Sequence, residues 1–171
     1  VIAWHSQGEV IYWQYGGIAV PGARELGEDF GTKMPGFFTD EPQTIACKTL
    51  KSGHDMGRID TAWTWDFPET FKAEYGFDIV ERLPEIFYRC VCEDDMSPRY
   101  FYYRHLSDRF AHAFADNLGD WGEKNNIMFT GHLMCEDNLI DITSRCFDPM
   151  RMYKSMQLPG IDVLFDRRLF V

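Results

Sequence analysis

The chain has 171 residues, 45% of them hydrophobic and 16% aromatic, which is enough apolar mass for one packed core and excludes a disordered polymer. Its 27 acidic residues outnumber 17 basic ones for a formal charge of -10, which disfavours nucleic acid as a partner, since phosphate is bound chiefly through Lys and Arg. Anionic membrane surfaces are disfavoured on the same ground, and no run of about 18 apolar residues offers a bilayer span.

Residues 1–25, with Trp4, Tyr12, Trp13 and Gly16-Gly17, show no strand and helix that can be placed. The opening Val1-Ile2-Ala3-Trp4-His5 lacks the basic flank and long apolar region of a signal peptide, and the chain reads as a piece of something longer, in an undecided compartment.

The clearest element follows. Pro35 and Gly36 punctuate its start, Phe37, Phe38 and Thr39 favour extended backbone, and Pro42 biases Glu41 away from the helical region. This predicts a strand over 36–40 that delivers Asp40 and Glu41 to its carboxyl end. An apolar run without polar alternation suits a parallel strand covered on both faces, and in such sheets ligands bind beyond the carboxyl ends. Two solvated acids in a turn are the competing reading, because Asp and Pro are ordinary turn formers.

A polar, glycine-containing stretch over 43–64 comes next. A helix over 68–75 has Pro68 in its first turn, Phe67, Phe71 and Tyr75 at helical spacing and Gly76 as its stop. A short helix over 78–88 is expected to be interrupted by Pro84. The longest helix is predicted over 98–124, with Ser97 as N-cap and Tyr102, Leu106, Phe110, Phe114, Leu118 and Trp121 along one core-facing stripe. His105 and His112 on this helix read as packed or surface residues.

The second strand spans 127–130 and runs into Gly131-His132-Leu133-Met134-Cys135-Glu136. Asp148 caps and Pro149 opens a short helix through Met156, and Pro159-Gly160 leads into a third strand over 161–165. Strands alternating with helices predict an α/β fold with parallel crossovers. The gap between the first two strands exceeds an ordinary connection, so the first carries a long insertion. The five cysteines, Cys47, Cys90, Cys92, Cys135 and Cys146, form no CxxC pair and no zinc spacing and read as reduced, partly buried thiols.

The ordered segments GFFTDEP (36–42), YGFDIVERLPEIFY (75–88), Tyr103-Arg104, FTGHLMCED (129–137) and LPGIDVL (158–164) together resemble the barrel of the α-L-rhamnosidase-like glycoside hydrolases. The resemblance covers residues 26–164. It implies a partial (β/α)8 TIM-type barrel, about three βα units of a single catalytic domain spanning 1–171, within a larger multidomain chain that acts on a carbohydrate. It also implies an inverting mechanism, calcium at the active site and no organic cofactor. Glu41 matches the family's general acid, and Glu136 the later glutamate that serves as base or metal ligand.

The chemistry asks for such a pair. Inversion needs one carboxyl to protonate the leaving oxygen and a second to activate water, about 6.5–9.5 Å apart. Parallel strands about 4.8 Å apart bring their ends within reach of that gap. Asp40 and Glu41 alternate in direction, so Glu41 is expected to face substrate, while Asp40 orients a neighbour or donates oxygen to calcium. Burial against Phe37, Trp63 or Trp65 would keep Glu41 protonated. His132 is a candidate partner for a sugar hydroxyl, and Trp63 and Trp65 offer indole faces to a sugar ring or plug their loop onto the fold. Asp162, among apolar neighbours, reads as structural first and catalytic second, with Arg104 or Arg151 as its partner.

Three functional classes remain: a glycoside hydrolase, inactive as the isolated chain; a non-catalytic carbohydrate-binding or structural barrel domain; and a metal-dependent hydrolase of another substrate. For the last, His132, Glu136 and Asp137 make a thin ligand set.

Overall fold

A computed structural model describes residues 28–44, 61–88 and 97–162. In chain order these form β1 (Gly36–Thr39), α1 (Phe67–Tyr75), a 3-10 turn (Val80–Arg82), α2 (Leu83–Phe87) and α3 (Ser97–Ala111). A π-helical turn (His112–Asp116) joins α3 to α4 (Asn117–Lys124), followed by β2 (Met128–Gly131), α5 (Leu139–Cys146), α6 (Pro149–Tyr153) and β3 (Leu158–Pro159). The fold is mixed α/β with one three-stranded parallel sheet, ordered β1-β2-β3.

β1 and β2 pair from Gly36 opposite Met128 to Thr39 opposite Gly131. Gly131 is required by this approach: a Cβ there would lie 2.3 Å from the Thr39 carbonyl oxygen. The odd positions Phe37 and Phe129 stack at 5.2 Å on the helix side, where Trp121 of α4 meets Phe37 edge-on at 5.8 Å. Phe38 and His132 share the other face, their rings 5.5 Å apart.

Two apolar clusters hold the helices. Ala111, Ala115, Phe129, Leu133, Ile142, Cys146, Met152 and Met156 pack beneath the sheet. Phe67, Phe71, Ile79, Ile86, Tyr102, Leu106 and Phe147 form the second, among the helices that follow β1. The predicted stripe runs through both: Tyr102 and Leu106 sit in the second cluster, Phe114 and Leu118 against the first, and Phe110 touches each. The π turn lets one helix serve two cores, because its extra residue rotates the stripe between them.

Several boundaries shift for physical reasons. Pro84 does not interrupt a helix but sits in the first turn of α2, where its missing N–H costs nothing. α5 was not expected from the sequence; Asn138 caps it, its side chain accepting from Asp141 N–H at 2.8 Å. The third strand pairs at Leu158–Pro159, ahead of the expected 161–165: Thr130 Oγ1 donates to Leu158 O at 2.6 Å, and Gly160 N–H to Gly131 O at 2.8 Å. Ile161 and Asp162 lie beyond the strand, while 163–165 fall outside the described residues. So do residues 1–25, 45–60 and 89–96, with Cys47, Cys90 and Cys92 among them. Cys146 is buried as expected, its thiol donating to Pro42 O at 3.2 Å and pushed up to about 12 by burial.

Candidate functional site

Each strand ends in a group that can do chemistry. Glu41 follows β1 by two residues, His132 follows β2 by one, and Asp162 follows β3 by three. Because the strands are parallel neighbours, these ends converge: one ligand atom from each of Glu41, His132 and Asp162 lies within 4.8 Å of the other two.

Local structure holds each in place. Glu41 has φ 46°, a left-handed backbone that costs a non-glycine residue on the order of 1–2 kcal/mol. The next residues fasten it there: Thr44 N–H donates to Arg145 O at 2.9 Å, Arg145 Nη1 to Gln43 Oε1 at 3.1 Å, and Pro42 is buried against Cys146. The β1 exit is thus clamped onto the end of α5. Asp40, on the opposite face of β1, accepts from His132 Nε2 at 2.9 Å. It orients a neighbour, and His132 is only 8% exposed.

Glu136 is committed differently. Its Oε1 accepts from Leu133 N–H at 3.1 Å and from the Tyr153 hydroxyl, and its Oε2 accepts from Asp162 N–H at 2.8 Å. Its side chain is 9% exposed. A carboxylate with three donors has little left for activating water. Glu136 instead ties the β2 exit to the β3 exit and sets the position of Asp162. Asp162, read as structural from sequence, is the carboxylate that joins Glu41. Neither arginine expected beside it is there: Arg151 forks onto Asp116 at 2.8 and 2.5 Å, holding that carboxyl down at about 2, and Arg104 meets Tyr100 and Asp108.

The tryptophans lie elsewhere. Trp63 stacks on Phe67 at 4.7 Å, and Trp65 is fully exposed. Among the described residues neither ring touches the strand-end group, and Phe37 faces α4, so the shielding of Glu41 expected from these three aromatics is not what the fold provides. Trp63 plugs its loop onto the helical cluster.

Calcium takes about six to eight oxygen ligands. The group at the strand ends supplies one imidazole nitrogen and two carboxylates, Asp40 is engaged with His132, and Glu136 accepts from three donors. These residues do not fit calcium, and the expected Asp40 and Glu136 ligand pair is not the set that converges. Asp162 was legible only as a carboxylate needing a partner; its convergence with Glu41 depends on the register of β3, which no local pattern encodes.

No protein-family model matches the chain, and neither a curated protein nor a solved structure matches it significantly. The rhamnosidase-like resemblance rests on the ordered motifs quoted above.

Proposed function

We propose that the chain is part of a glycoside hydrolase, about three βα units of a TIM-type barrel, with its working groups at the carboxyl ends of the strands. The observation that carries this reading is the convergence of Glu41, His132 and Asp162 from three parallel strand ends, the face on which barrel enzymes place their chemistry. The rhamnosidase-like motifs supply the substrate class, a carbohydrate of α-L-rhamnoside type.

In this reading Glu41 protonates the leaving oxygen. Its strained backbone is held by the Pro42–Thr44 clamp, so its position does not depend on substrate. The second carboxyl is Asp162, whose side chain is partly exposed and which Glu136 positions through the backbone amide. Within 4.8 Å of Glu41, it is closer than the inverting gap of about 6.5–9.5 Å and suits the shorter, retaining spacing of about 5–5.5 Å. His132, fixed by Asp40, hydrogen-bonds a sugar hydroxyl. The net charge of -10 suits a neutral sugar and not an anionic one.

The three strands of the described residues do not close a barrel, so in this reading activity belongs to a larger protein that carries this chain. In that protein Glu41→Gln is expected to lower turnover of an aryl α-L-rhamnoside on the order of 100- to 10,000-fold, the usual contribution of a general acid. Unchanged turnover in the folded variant contradicts the assignment.

A further inference from the structure

Asp40 accepts the proton of His132 Nε2, so in the neutral ring the lone pair resides on Nδ1. Around Nδ1 the described residues place only acceptors: Leu133 O at 3.5 Å and Glu136 Oε2 at 3.9 Å. Glu136 Oε2 also holds the Asp162 amide at 2.8 Å, which brings Asp162 to this side of the ring. One nitrogen of this ring lies within 4.8 Å of a carboxylate oxygen of Glu41 and of Asp162, and a nitrogen converging with two carboxylates is a donor set that a cation can join. The carboxylate behind the imidazole is the outer-shell partner that metal-bound histidines use to fix the tautomer.

The donor set also selects the cation. Nitrogen with two oxygens suits zinc, cobalt, manganese or iron, whereas calcium favours oxygen alone. Ligands at about 2.1 Å from a tetrahedral ion lie roughly 3.4 Å from one another, so the three groups need to close by up to about 1.4 Å. A fourth position stays open to water or substrate.

We propose that Glu41, His132 and Asp162 form a binding site for a first-row transition cation, and that its occupancy silences Glu41 as a proton donor. The second half of this statement rests on the glycosidase reading; the first does not. A Glu41 carboxylate oxygen held by the cation is not available to a leaving oxygen, so the two uses of Glu41 exclude each other. The cation is then an inhibitor of this site and not its cofactor.

Calorimetric titration of the chain with cobalt(II), zinc(II) and calcium(II), with cobalt visible absorption as a structural readout, tests the site directly. One equivalent of cobalt or zinc is expected to bind with bands of nitrogen and oxygen ligation, and calcium not to compete. Asp162→Asn and Glu41→Gln, both conservative, each abolish the bands, and Asp40→Asn lowers affinity on the order of 10- to 100-fold with circular dichroism unchanged. Absence of stoichiometric binding, preference for calcium, or binding that survives Asp162→Asn and Glu41→Gln overturns the site. In the larger protein, zinc is expected to suppress rhamnoside hydrolysis. Hydrolysis that requires zinc overturns the inhibitory role, and a metal-free protein that cleaves no glycoside overturns the glycosidase reading while leaving the site standing.

Discussion

Two buried histidines, each beside a carboxylate, separate a helical region where the ring is packed among aromatics from a strand-exit region where it converges with carboxylates. His105, on α3, is bonded at both nitrogens, Nδ1 to Glu74 at 3.1 Å and Nε2 to Thr70 Oγ1 at 3.0 Å, inside a ring of Phe67, Phe71 and Tyr75. Arg109 closes that network by donating to Thr70 and forking onto Asp66. His132 has Asp40 on one nitrogen and only acceptors near the other. The difference lies in the elements that carry them. Helix faces supply hydroxyls and cations at fixed spacing, so His105 is satisfied; strand exits supply backbone carbonyls and acids, so His132 lies among carboxylates.

The helical region sets stability, and the largest change is expected there. Phe71 is fully buried among Phe67, Tyr75, Phe77 and His105, and Phe71→Ala is expected to cost about 3–5 kcal/mol in denaturant unfolding while leaving cobalt affinity per folded molecule unchanged. An equal loss of cobalt affinity would join the two regions into one.

A middle-sized effect sharpens the contrast through pH. Burial depresses His105 below its ordinary 6.5, with Glu74 opposing, so the unfolded chain takes up a proton before the folded one does. Its contribution is complete above pH 6.5 and is lost as the pH falls through the folded value. Unfolding free energy is therefore expected to decline on acidification from pH 6.5, and His105→Gln to flatten that slope; an unchanged slope in the variant assigns the decline to another group.

The smallest effect is expected at the site. Asp162→Asn removes a carboxylate whose oxygens carry no hydrogen bond among the described residues, and its backbone bond to Glu136 persists. Stability should stay within about 0.5 kcal/mol of the parent. A loss of several kcal/mol would make Asp162 structural, the first reading of the sequence.

Much of this division was written locally. The GFFTDEP run marks β1 and its exit, the aromatic stripe marks α3 and α4, and Gly76 and Asp148 mark helix ends. The α5 cap is also present, as Asn138 three residues before Asp141. What stayed hidden was relational. The β3 register decides that Asp162 and not Glu136 meets Glu41, and the Tyr153 and Leu133 donors decide that Glu136 is a clamp. Both depend on groups far apart in the chain, and motif resemblance transferred a glutamate's name without its hydrogen bonds.

The most direct measurement compares His132→Gln with His105→Gln in the larger protein, reading rhamnoside turnover per folded molecule beside unfolding free energy. The account predicts that His132→Gln removes most turnover with little change in stability, and that His105→Gln lowers stability with turnover intact. Turnover unaffected by His132→Gln and lost with His105→Gln would contradict it.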